Sequence, residues 1–489
     1  MSARAETKPG WPRKTARRVF AGMLLALVPG CGLHFYYGPV QCPPSDPGLS
    51  PIARALSYLD ETQVKEVLRP LAGGADFPGN WPQHVLINFP ARIRARDVSP
   101  FLPACIHHSL ALIHEETQAA LGLPGQSIDR ARALRQAAVE FMRRFEVPPG
   151  SPLAGAYGFW LRAEECAAWR KPWLERLRGD WLAKPMFWLF MHGPAMQGPL
   201  VALNVPQMPP AYGIHPDADD TAMIHLALLN AHRFDGGAEP RPPFSLLADW
   251  RDTGREELFS RPDWLPEASG AFLTWFGAPV NDVDLAVNAN VLYLLARCGR
   301  RDAPGAAAAQ ALICQAVPAF LDGTARDTIE VYYPNPMMAY RCIARAFRAG
   351  PVPGLEPAVR HIADMLRQRA RVRKDGTVHW NFGQPALDTT CGILILIDAQ
   401  QHLDLVPGAA RFVLQKQDPR RGNWPEGYAF GGRSGRGHRI NWVSAPFSTA
   451  LALEALCRIV LAAEDMPDPD WRKVAQSARA AGRSQNGRR

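Results

Sequence analysis

The 489-residue chain has few cysteines, nine in all, and none forms a Cys-x-x-Cys pair. An odd, scattered set excludes a zinc ribbon and argues against a disulfide framework. Cys298, Cys314, Cys342 and Cys457 lie inside apolar helical runs, where a thiol serves as a small buried hydrophobe. There is no uninterrupted run of 18 apolar residues, the approximate length that a membrane-crossing helix needs. Strand-like alternation is scarce and β-α-β signals are absent, which argues against a parallel α/β sheet. Basic charge is scarce where it would matter for nucleic acid. The formal net charge is +9, but residues 1–18 carry +5 and residues 472–489 carry +6, leaving residues 19–471 at −2. Basicity confined to two short tails gives no reason to expect DNA or RNA as a partner. Both tails are low in apolar content and are expected to be disordered.

What is present begins with a basic stretch, Arg13–Arg18, followed by the largely apolar run Val19–Val28 and then Pro29-Gly30-Cys31. The pattern is that of a short signal-like or anchor segment, and Val28-Pro29-Gly30-Cys31 faintly resembles a lipobox in which Pro29 does not fit. Export, a cytoplasmic location and peripheral membrane contact all stay open on this reading.

From about residue 50 onward the sequence is a succession of helical segments punctuated by glycine and by most of the 46 prolines. Arg130–Phe145 places Ala133, Leu134, Ala137, Ala138, Phe141 and Met142 on one stripe. Similar segments are expected at Thr221–Asn230, Leu285–Arg297, Ala306–Phe320, Met338–Arg348, Leu355–Arg367, Ala386–Ala399 and Phe447–Ala462, rich in good helix formers. The class is all-α. Asp219-Asp220-Thr221-Ala222 ahead of one apolar helix is echoed by Leu387-Asp388-Thr389-Thr390 ahead of another. Repetition of a helix-hairpin unit is how an α/α toroid of inner and outer helices is built. The expected organisation is a basic tail with a signal-like segment over 1–49, a helical N-terminal region over 50–150, the toroid over 151–465, and a basic disordered tail over 466–489. Too few residues precede Asp217 for a second full toroid, so any second helical domain would be a reduced one made of 50–150.

Residues 215–222 read His-Pro-Asp-Ala-Asp-Asp-Thr-Ala. Three carboxylates, Asp217, Asp219 and Asp220, fall within four positions where an apolar helix starts. Crowded anions raise one another's pKa, and a carboxyl that keeps its proton near neutral pH is a general acid. One reading is an elaborate helix cap, with Asp219 or Asp220 capping a helix that starts at Thr221. A single carboxylate suffices for a cap, and three exceed that need. Oxygen ligands also suit Mg²⁺, yet Asp219-Asp220 continues Thr-Ala-Met rather than with the third aspartate of a DDxxD element.

Near the other end stands Gln415-Lys416-Gln417-Asp418-Pro419-Arg420-Arg421-Gly422-Asn423-Trp424, a glutamine followed by Gly-x-Trp. Lys374-Asp375-Gly376-Thr377-Val378-His379-Trp380 is a degenerate copy without the glutamine. Taken together, Pro216–Ala222 resembles the DxDD-T-A signature, and Gln415–Trp424 the QW repeat, of class II terpene cyclases, the squalene–hopene and diterpene cyclase group. The resemblance covers roughly residues 150–465. It implies a terpenoid cyclase/prenyltransferase-like toroid in which Asp219, the middle aspartate, protonates an isoprenoid alkene, while Asp217 and Asp220 titrate with it as a unit. His215 stands close enough in sequence to hydrogen-bond the cluster; family members often carry an aromatic there. The resemblance implies no cofactor, with Mg²⁺ entering only if the substrate carries a diphosphate.

A protonated alkene is a carbocation, which aromatic faces stabilise without capturing. Trp188, Trp275, Phe276, Tyr332, Tyr333, Trp380, Phe382, Trp424, Tyr428, Phe430 and Trp442 could supply such faces, although aromatics in a helical protein are commonly core. Gly431–Arg439 reads as a glycine-rich basic loop whose Arg433 and Arg436 could hold a diphosphate. Asp76-Phe77-Pro78-Gly79-Asn80-Trp81, the helical pair Asn288/Asn290 and His107-His108 also stand out. The asparagines, if buried, need internal hydrogen bonds.

The expected partner is a small isoprenoid, with no obligate protein partner. Two other classes stay open: a glycan-active toroidal enzyme using carboxylates as acid and base, and a non-catalytic ring that binds a lipid or a protein. A protein prenyltransferase is disfavoured because its zinc set needs an Asp-x-Cys element, and the chain has none.

Overall fold

The structure, a computed structural model, describes residues 46, 48–67, 76–88, 92–159, 215–258, 261–278, 280–321, 332–434 and 438–480. The signal-like segment, Cys31, Cys42, Cys166, Trp188 and Arg436 lie outside these residues. In chain order the main elements are α1 (Pro51–Thr62), β1 (Gln83–Asn88), β2 (Arg92–Asp97), α2 (Phe101–Leu110), α3 (Glu115–Leu121), α4 (Gly125–Arg143), α5 (Ala218–Asp235), α6 (Phe244–Asp249), α7 (Leu285–Arg297), α8 (Ala306–Leu321), α9 (Pro336–Arg348), α10 (Glu356–Arg369), α11 (Pro385–Ala399), α12 (Val406–Gln415), β3 (Gly427–Ser434), β4 (His438–Ser444), α13 (Ala445–Ala462) and α14 (Pro469–Arg479).

Six helices close a ring: α2 packs on α5, α5 on α7, α7 on α9, α9 on α11, α11 on α13, and α13 back on α2. They are buried nearly all round, and Leu285–Ala296 and Leu387–Ala399 are buried without interruption. An outer layer covers them. Helix α4 lies against α2 and α5, α8 against α7, α10 against α9 and α11, α12 against α11, and α1 and α14 against α13. The outer helices carry polar outward faces, as α10 does by burying only Ala358, Val359, Ile362, Ala363, Met365 and Leu366. Continuous apolarity inside and one-sided apolarity outside is the pattern of a two-layered helical ring. Helix α13 is long and apolar enough to cross a membrane, but it is an inner helix with most of its length buried.

Three expectations are corrected. Residues 50–150 form no domain of their own: they give the ring one inner helix, α2, and three outer ones, α1, α3 and α4, the last linked to α5 by a buried Arg135–Asp235 pair. Residues 469–479 are not a disordered tail but helix α14, which buries Trp471, Val474, Ala475 and Ala478. The expected glycine-rich loop is a hairpin, β3–β4, and belongs to an antiparallel sheet of order β2-β1-β4-β3. Strand β1 finds its partner β4 across most of the chain, with Val85 opposite Trp442. A local reading of the sequence cannot anticipate that pairing.

The tryptophan turns recur as pegs between the two layers. The indole N–H of Trp424 donates to the Val413 carbonyl at the end of α12 (2.7 Å), and that of Trp380 to Leu366 at the end of α10 (2.7 Å). Trp81 does the same to Leu59 of α1 (2.8 Å), so Gly79-Asn80-Trp81 is a further copy of Gly422-Asn423-Trp424. Each adds a side-chain donor to the last turn of an outer helix, and at Leu59 and Val413 it shares the carbonyl with the backbone N–H of Gln63 and Lys416. The glutamines tie neighbouring outer helices: Gln417 Nε2 donates to Pro51 O of α1 (2.9 Å), and Gln63 Nε2 to Leu134 O of α4 (2.9 Å). The turn glycine has a steric reason. Gly422 has φ of 80°, and a Cβ there would lie 2.6 Å from the Arg54 carbonyl oxygen; only glycine fits.

The Asp-Thr echo has a matching cause. Thr221, Thr389 and Thr449 each accept, through Oγ1, a backbone N–H from the aromatic residue of the turn packed against it: Tyr157 (2.9 Å), Trp380 (3.2 Å) and Trp424 (3.2 Å). Asn288 plays this part for Phe272, through Oδ1 (2.9 Å).

Candidate functional site

The first turns of the inner helices gather at one end of the ring. Asn335 Nδ2, at the start of α9, donates to Asp388 Oδ1 in the first turn of α11 (2.7 Å). Asn290 of α7 reaches Asp219 of α5, and Tyr333 just ahead of α9 reaches it too. The three aspartates sit at this end.

Helix α5 begins earlier than expected, at Ala218, and its cap is Asp217 rather than Asp219 or Asp220. Asp217 Oδ1 accepts the Asp220 N–H at 2.7 Å. Its backbone is held from two sides, by antiparallel bridges to Tyr157 and to Trp275. Asp217 and Asp220 are sealed, at 4% and 1% exposure. Beyond the neighbouring Asp217, the Asp220 carboxyl oxygens meet no hydrogen-bond partner among the described residues. Burial, with the Asp217 charge next in weight, holds the Asp220 carboxyl well above the ordinary carboxylate range, and burial pushes Asp217 up to about 7. A sealed pair of carboxyls side by side shares a proton and carries a single charge.

Asp219 differs. Protein surrounds it closely enough for burial to raise its pKa, yet it is only half-buried and retains accessible surface that Asp217 and Asp220 lack. Asn290 Nδ2 donates to Oδ1 at 2.7 Å, and the Tyr333 hydroxyl donates to Oδ2 at 2.5 Å. Behind Asn290 the Arg345 guanidinium of α9 donates to the amide oxygen at 2.7 Å and to Met223 Sδ at 2.9 Å, and lies over the Tyr293 ring at 5.3 Å. These two hydrogen bonds and the Arg345 charge pull the Asp219 pKa back down against burial.

Aromatic rings stand beside the acid. Tyr333 meets Phe101 edge-on at 6.3 Å, Phe101 meets Phe430 at 5.3 Å, and Phe430 stacks on Trp442 at 5.0 Å. Phe159 closes the group, edge-on to Phe430 and to Trp442, each at 5.5 Å. Strands β3 and β4 position Phe430 and Trp442, and the Trp442 indole is anchored on Asp97 of β2. A second buried carboxyl lies close by in sequence. Asp282 accepts from Tyr332 and Thr274, both at 2.5 Å; the Trp275 indole donates to the Tyr332 hydroxyl at 2.8 Å; and burial raises Asp282 to about 6.

Of the residues singled out in the sequence, the structure therefore brings together Asp217, Asp219, Asp220, Tyr333, Phe430 and Trp442, with Trp275 and Tyr332 beside Asp282. Others go elsewhere. Trp380 and Trp424 are fully buried pegs, with the position of Gly392 pressed to the Trp380 ring, and offer no face to a ligand. Phe276 is fully buried against Trp250. Phe382 lies under Arg369 (5.6 Å), and Tyr428 donates its backbone N–H to Gln384 Oε1 (2.7 Å). His215 is bound to the backbone of Phe276. Arg433 lies on β3, and its side chain, like Arg436, is outside the described residues.

Asn290, Arg345, Phe101 and Phe159 escaped the choice of site residues. Only Asn290 had a signal, as a polar residue inside an apolar helix; Asn288 beside it is structural. Deeper in the ring a buried ionic network fills the inner faces: Arg341 pairs with Asp398 (2.6 Å) and Glu454, Arg458 pairs with Asp398 (2.5 Å), and Ser109 donates to Glu454 (3.1 Å). Among the described residues no three His, Cys, Asp or Glu side chains are grouped to hold a metal ion.

No family model matches the sequence, and no curated protein matches it. Solved structures do. A protein from Actinoplanes shares 14% identity over 84% of this chain and 98% of its own, with a TM-score of 0.43. The type II terpene cyclase MstE from Scytonema, without ligand, shares 14% identity over 84% of this chain and 97% of its own, with a TM-score of 0.44. A variant of that cyclase in complex with geranylgeranyl dihydroxybenzoate, its substrate, shares 16% identity over 84% and 97%, with a TM-score of 0.38.

Proposed function

We propose that the protein is a protonation-initiated cyclase of an isoprenoid alkene, with Asp219 as the general acid. The observation that carries this reading is the contrast among three adjacent carboxyls. Two are sealed and share a proton, while the third keeps an open face beside a cluster of aromatic rings.

The chemistry follows from the hydrogen bonds. Asn290 and Tyr333 each occupy one lone pair of Asp219, one on each oxygen. The acid's own proton is then left on a position without an acceptor among the described residues, available to a π bond. In the initiating step the O–H bond of Asp219 breaks, the alkene electron pair forms a C–H bond at the less substituted carbon, and a tertiary cation results. Attack by the next double bond closes a ring, and loss of a proton ends the sequence. Burial favours the protonated acid before the step. The two donors and the Arg345 charge stabilise the carboxylate after it, which makes the acid a strong one. Phe101, Tyr333, Phe430 and Trp442 supply π faces that stabilise the cation and carry no strong nucleophile.

The test is incubation with farnesyl diphosphate, geranylgeranyl diphosphate and squalene, with product analysis for the wild type and Asp219→Asn. A cyclised product made by the wild type and lost in the variant supports the reading. The same product made unchanged by Asp219→Asn contradicts it.

A further inference from the structure

Arg345 has a place that the acid chemistry leaves unexplained. It comes from the third turn of α9, retains some accessible surface, and makes no ion pair among the described residues, although Glu454 lies near enough to feel its charge. Its Nε is buried without a hydrogen-bond partner among the described residues. A cationic side chain placed so deep costs free energy unless its contacts matter. Its hydrogen bonds go to Asn290 and Met223.

We propose that Arg345 is a positioning residue that fixes which end of the Asn290 amide faces Asp219. A guanidinium can only donate, so the amide oxygen must face Arg345, and the amide nitrogen must then face Asp219. Were the amide reversed, its oxygen would accept the proton of Asp219 and tie it up in an Asp219–Asn290 hydrogen bond. Arg345 forbids that arrangement and keeps the proton on the open side. Its charge, close behind, also favours the carboxylate that the acid leaves.

This inference rests on the proposed acid role of Asp219, and two readouts keep the two claims apart. The groups that face Asp219 and Arg345 are Asp217 and Asp220 on α5, Tyr333 ahead of α9, Cys342 and Arg341 on α9, Cys105 and His108 on α2, and Glu454 on α13. Asp219 is therefore followed by the ¹³C carboxyl resonance that Asp219→Asn removes. Its titration and the pH–rate profile are compared for the wild type, Arg345→Met and Arg345→Lys.

In Arg345→Met the plateau rate falls roughly tenfold, and both the carboxyl titration and the alkaline limb of the rate move to higher pH. Arg345→Lys, which keeps a donor and a charge, restores both. A merely structural arginine would lower the rate and the melting temperature while leaving the titration in place, and that result overturns the proposal. A shifted titration in a protein that turns over no isoprenoid upholds Arg345 and refutes the alkene reading. If Arg345→Met does not fold, Arg345→Gln, neutral but still a donor, is used: the titration moves up with a smaller loss of rate, and an unmoved titration again overturns the proposal.

Discussion

Tyr333 donates its hydroxyl to Asp219 Oδ2 across 114 residues of chain. The tyrosine belongs to the loop ahead of α9 and the aspartate to the first turn of α5, so ring closure alone brings them together. A donor aimed at a buried carboxyl favours its anion. Replacing Tyr333 by Phe removes that donor, leaves the ring and its contact with Phe101, and raises the Asp219 pKa. Turnover then extends to higher pH while its maximum falls. A pH–rate profile checks this, and an alkaline limb that stays in place in Tyr333→Phe would contradict it.

Asp217 and Asp220 make a second prediction, on stability. Asp217 stands at about 7 in the folded protein against an ordinary value of 3.8, and Asp220 is raised further in the same direction. The folded state thus holds protons that the unfolded chain releases. The stability that the pair contributes is complete below about 3.8 and is lost as pH rises through about 7. Asp220→Asn, which removes one of the two like charges, should be more stable than wild type at pH 8. That advantage should vanish towards pH 4. Thermal unfolding across this range measures it, and a difference independent of pH would show that the pair does not share a proton.

Trp424 separates packing from substrate binding. Its indole is buried at 1% exposure and bonded to Val413. Truncation to Ala should cost about 3–5 kcal/mol through the cavity it leaves, and Trp424→Phe about 1–2 kcal/mol, from the lost indole hydrogen bond and contact. Product identity should not change in whatever folds. An altered product spectrum at unchanged stability would place Trp424 in the substrate wall after all.

The network under the acid is a third structural element with a measurable cost. Arg341 is 5% exposed and lies between Asp398 and Glu454. Arg341→Met strands carboxylates inside the ring and should destabilise the protein by about 3–5 kcal/mol. Denaturant unfolding at neutral pH reads this directly, and a loss below about 1 kcal/mol would mean that water or Arg458 already satisfies the two acids.

The all-helical class and the repeating hairpin were legible because apolar stripes and Gly/Pro breaks are local properties. The crowding of Asp217, Asp219 and Asp220 was legible for a related reason: three carboxylates in four residues exceed any capping need. The copy at Gly79-Asn80-Trp81 was visible in the letters but hidden by the distance of Gln63 from them, a gap that the fold closes by placing Gln63 Nε2 at 3.4 Å from Gly79 O. The sheet escaped because β1 pairs with a strand near the other end of the chain. Arg345 escaped because a lone arginine in an amphipathic helix reads as surface, and only the packing of α9 against α7 turns it inward to Asn290. Trp380, Trp424 and Phe276 show the converse: an aromatic residue in sequence does not announce whether it faces a ligand or a neighbouring helix.

The central claim is that the hydrogen which starts the reaction comes from the Asp219 carboxyl. Turnover of an accepted isoprenoid in D₂O tests it most directly, because an exchangeable carboxyl proton becomes a deuteron and is delivered to carbon. The account predicts a cyclised product carrying one deuterium at the less substituted carbon of the initiating double bond, made by the wild type and absent with Asp219→Asn. A product formed without deuterium at that carbon, or formed equally by Asp219→Asn, would contradict it.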